Sequence, residues 1–156
     1  MKYLLGFFIF FVFAILQTTL VFFGEIHGAK PDLLFIFLVY TSLFFGRRWG
    51  MFVGFTTGLF YDLYEPQYIG LNAMIHTSIG FLIGSLSERL YRERTLSQFL
   101  TLFFASLLAN LLLALFLSRS SAFLHRGILG SLYTSFFGIF LFILFSRFFE
   151  RWKQKA

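Results

Sequence analysis

Cysteine is absent from this 156-residue sequence, proline occurs twice, and charged residues make up only 13% of it. Without cysteine there is no disulfide, no thiolate nucleophile and no sulfur ligand for a metal. Aspartate is as scarce as proline, with Asp32 and Asp62 as the only two. An aspartyl intramembrane protease needs two opposed carboxylates sharing one proton, and Asp32, directly after Pro31, is accounted for as a helix-start residue. The three histidines, His27, His76 and His125, do not form the pair one helical turn apart, with its glutamate, that a zinc protease requires. No G-x-S-x-G turn and no phosphate-binding glycine loop is present. These absences point away from an enzyme and from a bound cofactor or metal.

What fills the chain instead is apolar. Hydrophobic residues are 58% and aromatic residues 23%, with 27 phenylalanines, and the mean hydropathy is +0.81. A soluble domain has about 45–50% apolar and about 25% charged residues, so the composition is that of an all-α integral membrane protein. At about 20 residues per spanning helix there is room for six spans and no separate soluble domain. The apolar runs place these spans at approximately 3–23, 32–46, 49–64, 69–90, 97–118 and 127–149, one polytopic domain over residues 1–156. The second and third are short for a perpendicular crossing. The first follows Lys2 much as a signal peptide follows its basic start. It is too long for such a core, however, and "FAILQTTLVFF" offers no small-x-small cleavage site. In the hinge "GEIHGAKPD" (24–32), Pro31 suits the first turn of a helix and Asp32 its positive dipole end.

The net charge of +6 has two readings, nucleic-acid binding or membrane orientation, and the distribution of the basic residues separates them. With the N-terminus in the cytoplasm, the inner loops and tails hold Lys2, Arg47, Arg48, Arg89, Arg92, Arg94, Arg147, Arg151, Lys153 and Lys155. The outer loops hold only Lys30, Arg119 and Arg126. Ten against three, alternating loop by loop, is a positive-inside pattern with both termini cytoplasmic. It leaves no charge pattern that calls for nucleic acid.

Gly46, Gly50, Gly54 and Gly58 recur every fourth residue and therefore share a helix face, and Gly80 and Gly84 repeat the spacing in the fourth span. In lipid such faces let backbones approach closely, either within one protein or against a partner. His76 and Asn110 read as hydrogen-bonding groups inside the bundle. The stretch "GLFYDLYEPQYIGLNA" (58–73) carries the densest polarity, with Asp62, Pro66, Gly70 and Asn72. Ionisable groups within spans are costly and usually functional. Asp62 therefore has two readings: it accepts hydrogen bonds from the start of the fourth helix, with Gly70 making the turn and Asn72 as a possible cap, or it meets a partner from the outer side.

"PDLLFIFLVYTSLFFGRRWGMFVGFTTGLFYDL", followed by Pro66 and "GLNAMIHTSIGFLIG", resembles the bacterial rod shape-determining protein MreD family over about residues 30–84. The resemblance rests on a PDLL start, a basic G-x-x-x-G junction, a G-L-x-x-D end and a P-x-x-G-L-N-A-like approach to the fourth span. It implies a multi-pass scaffold of the cytoplasmic (inner) membrane in the cell-elongation (rod) complex. It also implies a fold like the substrate-binding S-component of energy-coupling-factor transporters. The partners it implies are MreC, a single-span protein, and the machinery around it: MreB, RodA and a class B penicillin-binding protein. The motif positions that the resemblance carries over are Pro31, Asp32, Gly50, Gly54, Asp62, Pro66, Gly70 and Asn72, and Gly58 continues the glycine face. The alternative is a vitamin-binding S-component itself. Such subunits dock through an A-x-x-x-A pair in the first span, where this chain has only Ala14; its pair, Ala105 and Ala109, lies in the fifth.

Overall fold

The second apolar run, "LLFIFLVYTSLFF", offers no polar face, so a helix made from it is stable only in lipid or where neighbours surround it. The computed structural model, which describes residues 11–19, 31–64, 68–89, 94–117 and 121–153 (backbone alone for 121–126 and 145–153), places it in that position. Six helices are present among the described residues, and no strand. They are α1 (11–19), α2 (Leu33–Phe45), α3 (Arg47–Asp62), α4 (Leu71–Leu86), α5 (Thr95–Phe116) and α6 (Ser121–Lys153). Every residue of α2 from Leu33 to Leu43 is buried. This helix touches α3, α4, α5 and α6, and Phe37 stacks on Phe13 of α1 with ring centroids 5.9 Å apart. Leu34, Ile36, Leu38, Leu43, Leu102 and Phe142 form the most deeply buried part of the resulting core.

Asp32, in extended backbone, caps α2 by accepting the Phe35 N–H at 2.8 Å. Pro31 therefore stands one residue before the cap, not in the first helical turn expected for it. The helix ends at Gly46, whose φ of +81° favours a residue without Cβ. That single residue turns the chain into α3. A second reversal brings α4 back along α3, through Gly70 at φ +95°. The backbone of Gly84, near the end of α4, lies against that of Arg47 at the start of α3. The α2–α4 unit thus has a basic end, with Arg47 and Arg48, and an opposite end carrying Asp32 and Asp62.

Helix bounds differ from the expected spans in ways that hydropathy cannot anticipate. Helix α4 stops at Leu86, with residues 87–89 in turns rather than helix to 90. Helix α6 starts at Ser121 and runs to Lys153, past both expected ends at 127 and 149. Hydropathy marks the stretch that suits hydrocarbon, whereas backbone hydrogen bonding continues into polar sequence that contains no proline. Among the described residues, two helical stretches, Thr95–Phe116 and Gly127–Leu144, are long and apolar enough to cross a membrane by themselves. At 1.5 Å per residue α2 is about 20 Å long and α4 about 24 Å, short of a hydrocarbon core of about 30 Å. Residues 1–10 and 20–30 of the expected first span and hinge lie outside the described residues.

Candidate functional site

The glycine faces of α3 and α4 meet each other. A Cβ on Gly50 would fall on the carbonyl oxygen of Gly80, one on Gly54 on the backbone of His76 and Thr77, and one on Gly58 on the backbone of Asn72 and Ala73. From the other side, a Cβ on Gly80 would strike Gly50, and one on Gly84 would strike Arg47. All of these approaches are closer than real Cβ contacts allow. Gly50, Gly54 and Gly58 therefore belong to a closed seam inside the protein, and α4 covers the face that an outside helix would need.

At the far end of this seam, the Asp62 carboxylate is only 1% exposed. Its Oδ2 accepts the N–H groups of Gly70 (2.9 Å) and Ala73 (3.1 Å), and its Oδ1 accepts that of Asn72 (3.0 Å). The first N–H groups of a helix have no intrahelical acceptor, and a distant side chain here supplies one. The cap position itself is held by Gly70, which has no side chain to offer. Asn72 is thus not the cap that its position suggested; it is a buried residue of the first turn whose own N–H is capped. Pro66 and Glu65, in the connection between the two helices, lie outside the described residues.

A second polar knot adjoins the first through neighbouring Tyr61. Its hydroxyl donates to Asp32 Oδ1 at 2.6 Å, so Asp32 caps α2 and ties it to α3 at once. The Asp32 N–H donates to Thr134 Oγ1 on α6 at 3.2 Å, and the Leu33 N–H donates to Gln17 Oε1 on α1 at 2.9 Å. Three helices, α1, α3 and α6, therefore converge on the start of α2. His76 is buried beside this knot, its ring edge-on to Phe35 and to Tyr61, each at 5.5 Å between centroids. Its Nδ1 is 3.4 Å from Thr57 Oγ1. Gln17, Tyr61 and Thr134 were not singled out from the sequence. Their signal is an isolated polar group in an apolar helix, where an unpaired donor or acceptor is expensive. Tyr61→Phe removes only the hydroxyl, and a loss of about 1.5 kcal/mol is expected, the high end for a membrane-protein hydrogen bond. Thermal unfolding in detergent measures it, and an unchanged midpoint would show that the bond carries no weight.

On the other flank, Asn110 Nδ2 donates to Ser106 O at 2.9 Å and lies 3.4 Å from Ser131 Oγ, linking α5 to α6. Ala105 and Ala109 are buried, so the A-x-x-x-A pair faces inward. Among the described residues, no three of His, Asp, Glu and Cys are grouped to hold a metal ion. Large apolar side chains are exposed along the helices: Phe52, Phe55 and Leu59 on α3, Leu100, Phe104 and Leu115 on α5, and Phe136 and Phe140 on α6. The arrangement uses its polar groups to fix helices and turns outward a surface suited to lipid or to other helices.

The family model for rod shape-determining protein MreD matches residues 1–155. No curated protein and no solved structure matches the chain.

Proposed function

This chain belongs to the family of rod shape-determining protein MreD, and from that premise we propose that it is a non-catalytic scaffold of the bacterial rod complex. Its general role is the determination of rod shape. In the proposed reading it crosses the inner membrane six times as one domain, with both termini cytoplasmic. It binds an MreC-like single-span protein through its helices, and so supports peptidoglycan synthesis near MreB, RodA and a class B penicillin-binding protein. The charge asymmetry of the loops and the basic and acidic ends of the α2–α4 unit support the orientation. The short α2, buried from Leu33 to Leu43, is compatible with a bundle interior, where a helix is surrounded by protein and need not span lipid alone.

One observation carries the scaffold reading. The small and polar motif residues, Asp32, Gly50, Gly54, Gly58, Gly70, Asn72 and Asp62, are engaged within the protein, whereas many large apolar side chains are exposed on the helices. In lipid, helices associate by packing complementary surfaces, and a rigid bundle presents such a surface without reorganising. No feature of the described residues favours the transporter-subunit alternative. Co-purification from native membranes decides the question. Recovery of a single-span MreC-like protein is expected; a copurifying vitamin or ATPase module would overturn the reading.

A further inference from the structure

Arg47 is the first residue of α3, and its exposed side chain reaches toward α4. The guanidinium lies 5.6 Å from the centroid of the Phe81 ring, within cation–π range. Phe81 precedes Leu86, the last residue of α4, by five positions, so at 1.5 Å per residue its ring sits roughly 7 Å inside that end of the helix. The flank that holds it is exposed, with Ser78 and Ser85 one turn away on the same face and the exposed Leu82 and Leu86 on the adjoining one. Arg48 follows directly, and Trp49, also exposed, packs edge-on against Phe52 at 6.2 Å. Among the described residues neither arginine has a carboxylate partner. A cation is therefore held along an exposed helix flank, beside the aromatic residues at the basic end of the bundle.

A guanidinium at that depth loses water and recovers the cost only by meeting an anion of the headgroup layer. Its planar fork of donors matches two oxygens of a phosphate, which a lysine ammonium does not. We propose that Arg47 and Arg48, with Phe81 as a backing ring, form a headgroup site for an anionic phospholipid on the basic side of the bundle. The Phe81 ring holds the Arg47 cation at phosphate level before any lipid arrives, so the site is partly organised in advance. This rests on the membrane-embedded reading proposed above.

The test places the purified full chain in nanodiscs of phosphatidylcholine, alone or mixed with phosphatidylglycerol, and counts retained lipids by native mass spectrometry. The wild type is expected to retain phosphatidylglycerol preferentially. Arg47→Gln weakens retention roughly fivefold, and Arg47→Gln with Arg48→Gln roughly twentyfold. Phe81→Leu, which keeps an apolar side chain, reduces it by a smaller factor. Arg147→Gln with Arg151→Gln makes the same charge change on α6. If that pair reduces retention as much, the preference is general attraction to a positive protein and the proposal fails. Displacement of the lipid by excess inorganic phosphate would mark a general anion site and equally overturn it. Recovery of the wild type in the membrane fraction checks embedding separately. A wild type that inserts but shows no lipid preference overturns the headgroup site alone.

Discussion

Gly54→Leu is expected to eliminate folded, monodisperse protein from detergent extracts of the membrane, while Gly130→Ala leaves the yield and melting midpoint unchanged. Each position is a glycine within a helix, Gly54 in α3 and Gly130 in α6. They differ in what a Cβ would meet: at Gly54 the backbone of His76 and Thr77, at Gly130 nothing within 4 Å. Overpacking that side chains can absorb costs about 1–3 kcal/mol. Here the obstruction is main chain, and it yields only if α4 moves as a body. Moving it opens the contacts at Gly50–Gly80 and Gly58–Ala73 and pulls the Ala73 N–H from Asp62. The loss should therefore exceed about 3 kcal/mol, with Gly54→Ala in between. Size-exclusion profiles and thermal unfolding read the series. If Gly54→Leu folded normally and lost only a binding partner, the stripe would have to face outward.

How far these features were legible in the sequence depends on whether they are local. The glycine spacing identified a close-packed face on α3 and another on α4, because a four-residue period fixes a helix face by itself. It did not say that the two faces meet each other, since a seam between helices and a docking face have the same period. The Asp62 carboxylate could be read as a capping group because the N–H groups that donate to it lie 8 to 11 positions ahead in the chain, across one turn. The partnership of Asp32 with Tyr61 spans 29 positions and that of Asp32 with Thr134 spans 102. Nothing in a single sequence pairs such residues. The centrality of α2 was hidden for a related reason. A 13-residue run with no polar face reads equally as a short span in lipid or as a helix enclosed by protein, and only its neighbours distinguish the two.

Asp62→Asn is the second large effect, and it separates capping from partner contact more sharply than deletion of the side chain would. The amide has one oxygen where the carboxylate has two, so three N–H groups compete for it. The better rotamer puts the oxygen at the Oδ2 position, retaining Gly70 and Ala73, and turns the NH₂ group toward the Asn72 N–H. One hydrogen bond is then lost, a donor faces a donor, and the remaining two bonds lose their charged acceptor. Hydrogen bonds to charged groups contribute about 1.5–3 kcal/mol each, and a buried unmet donor costs a further about 1–3 kcal/mol. A destabilisation of about 3 kcal/mol is expected for Asp62→Asn, and more for Asp62→Ala, which strands all three donors. Hydrogen exchange gives the local signature: the amides of Gly70, Asn72 and Ala73 should exchange faster in Asp62→Asn, whereas those in the middle of α5 keep their protection. A variant with wild-type stability and unchanged exchange at residues 70–73, but without its MreC-like partner in co-purification, would move Asp62 from cap to contact. Burial of the carboxylate and the engagement of both its oxygens by the first turn of α4 favour the cap.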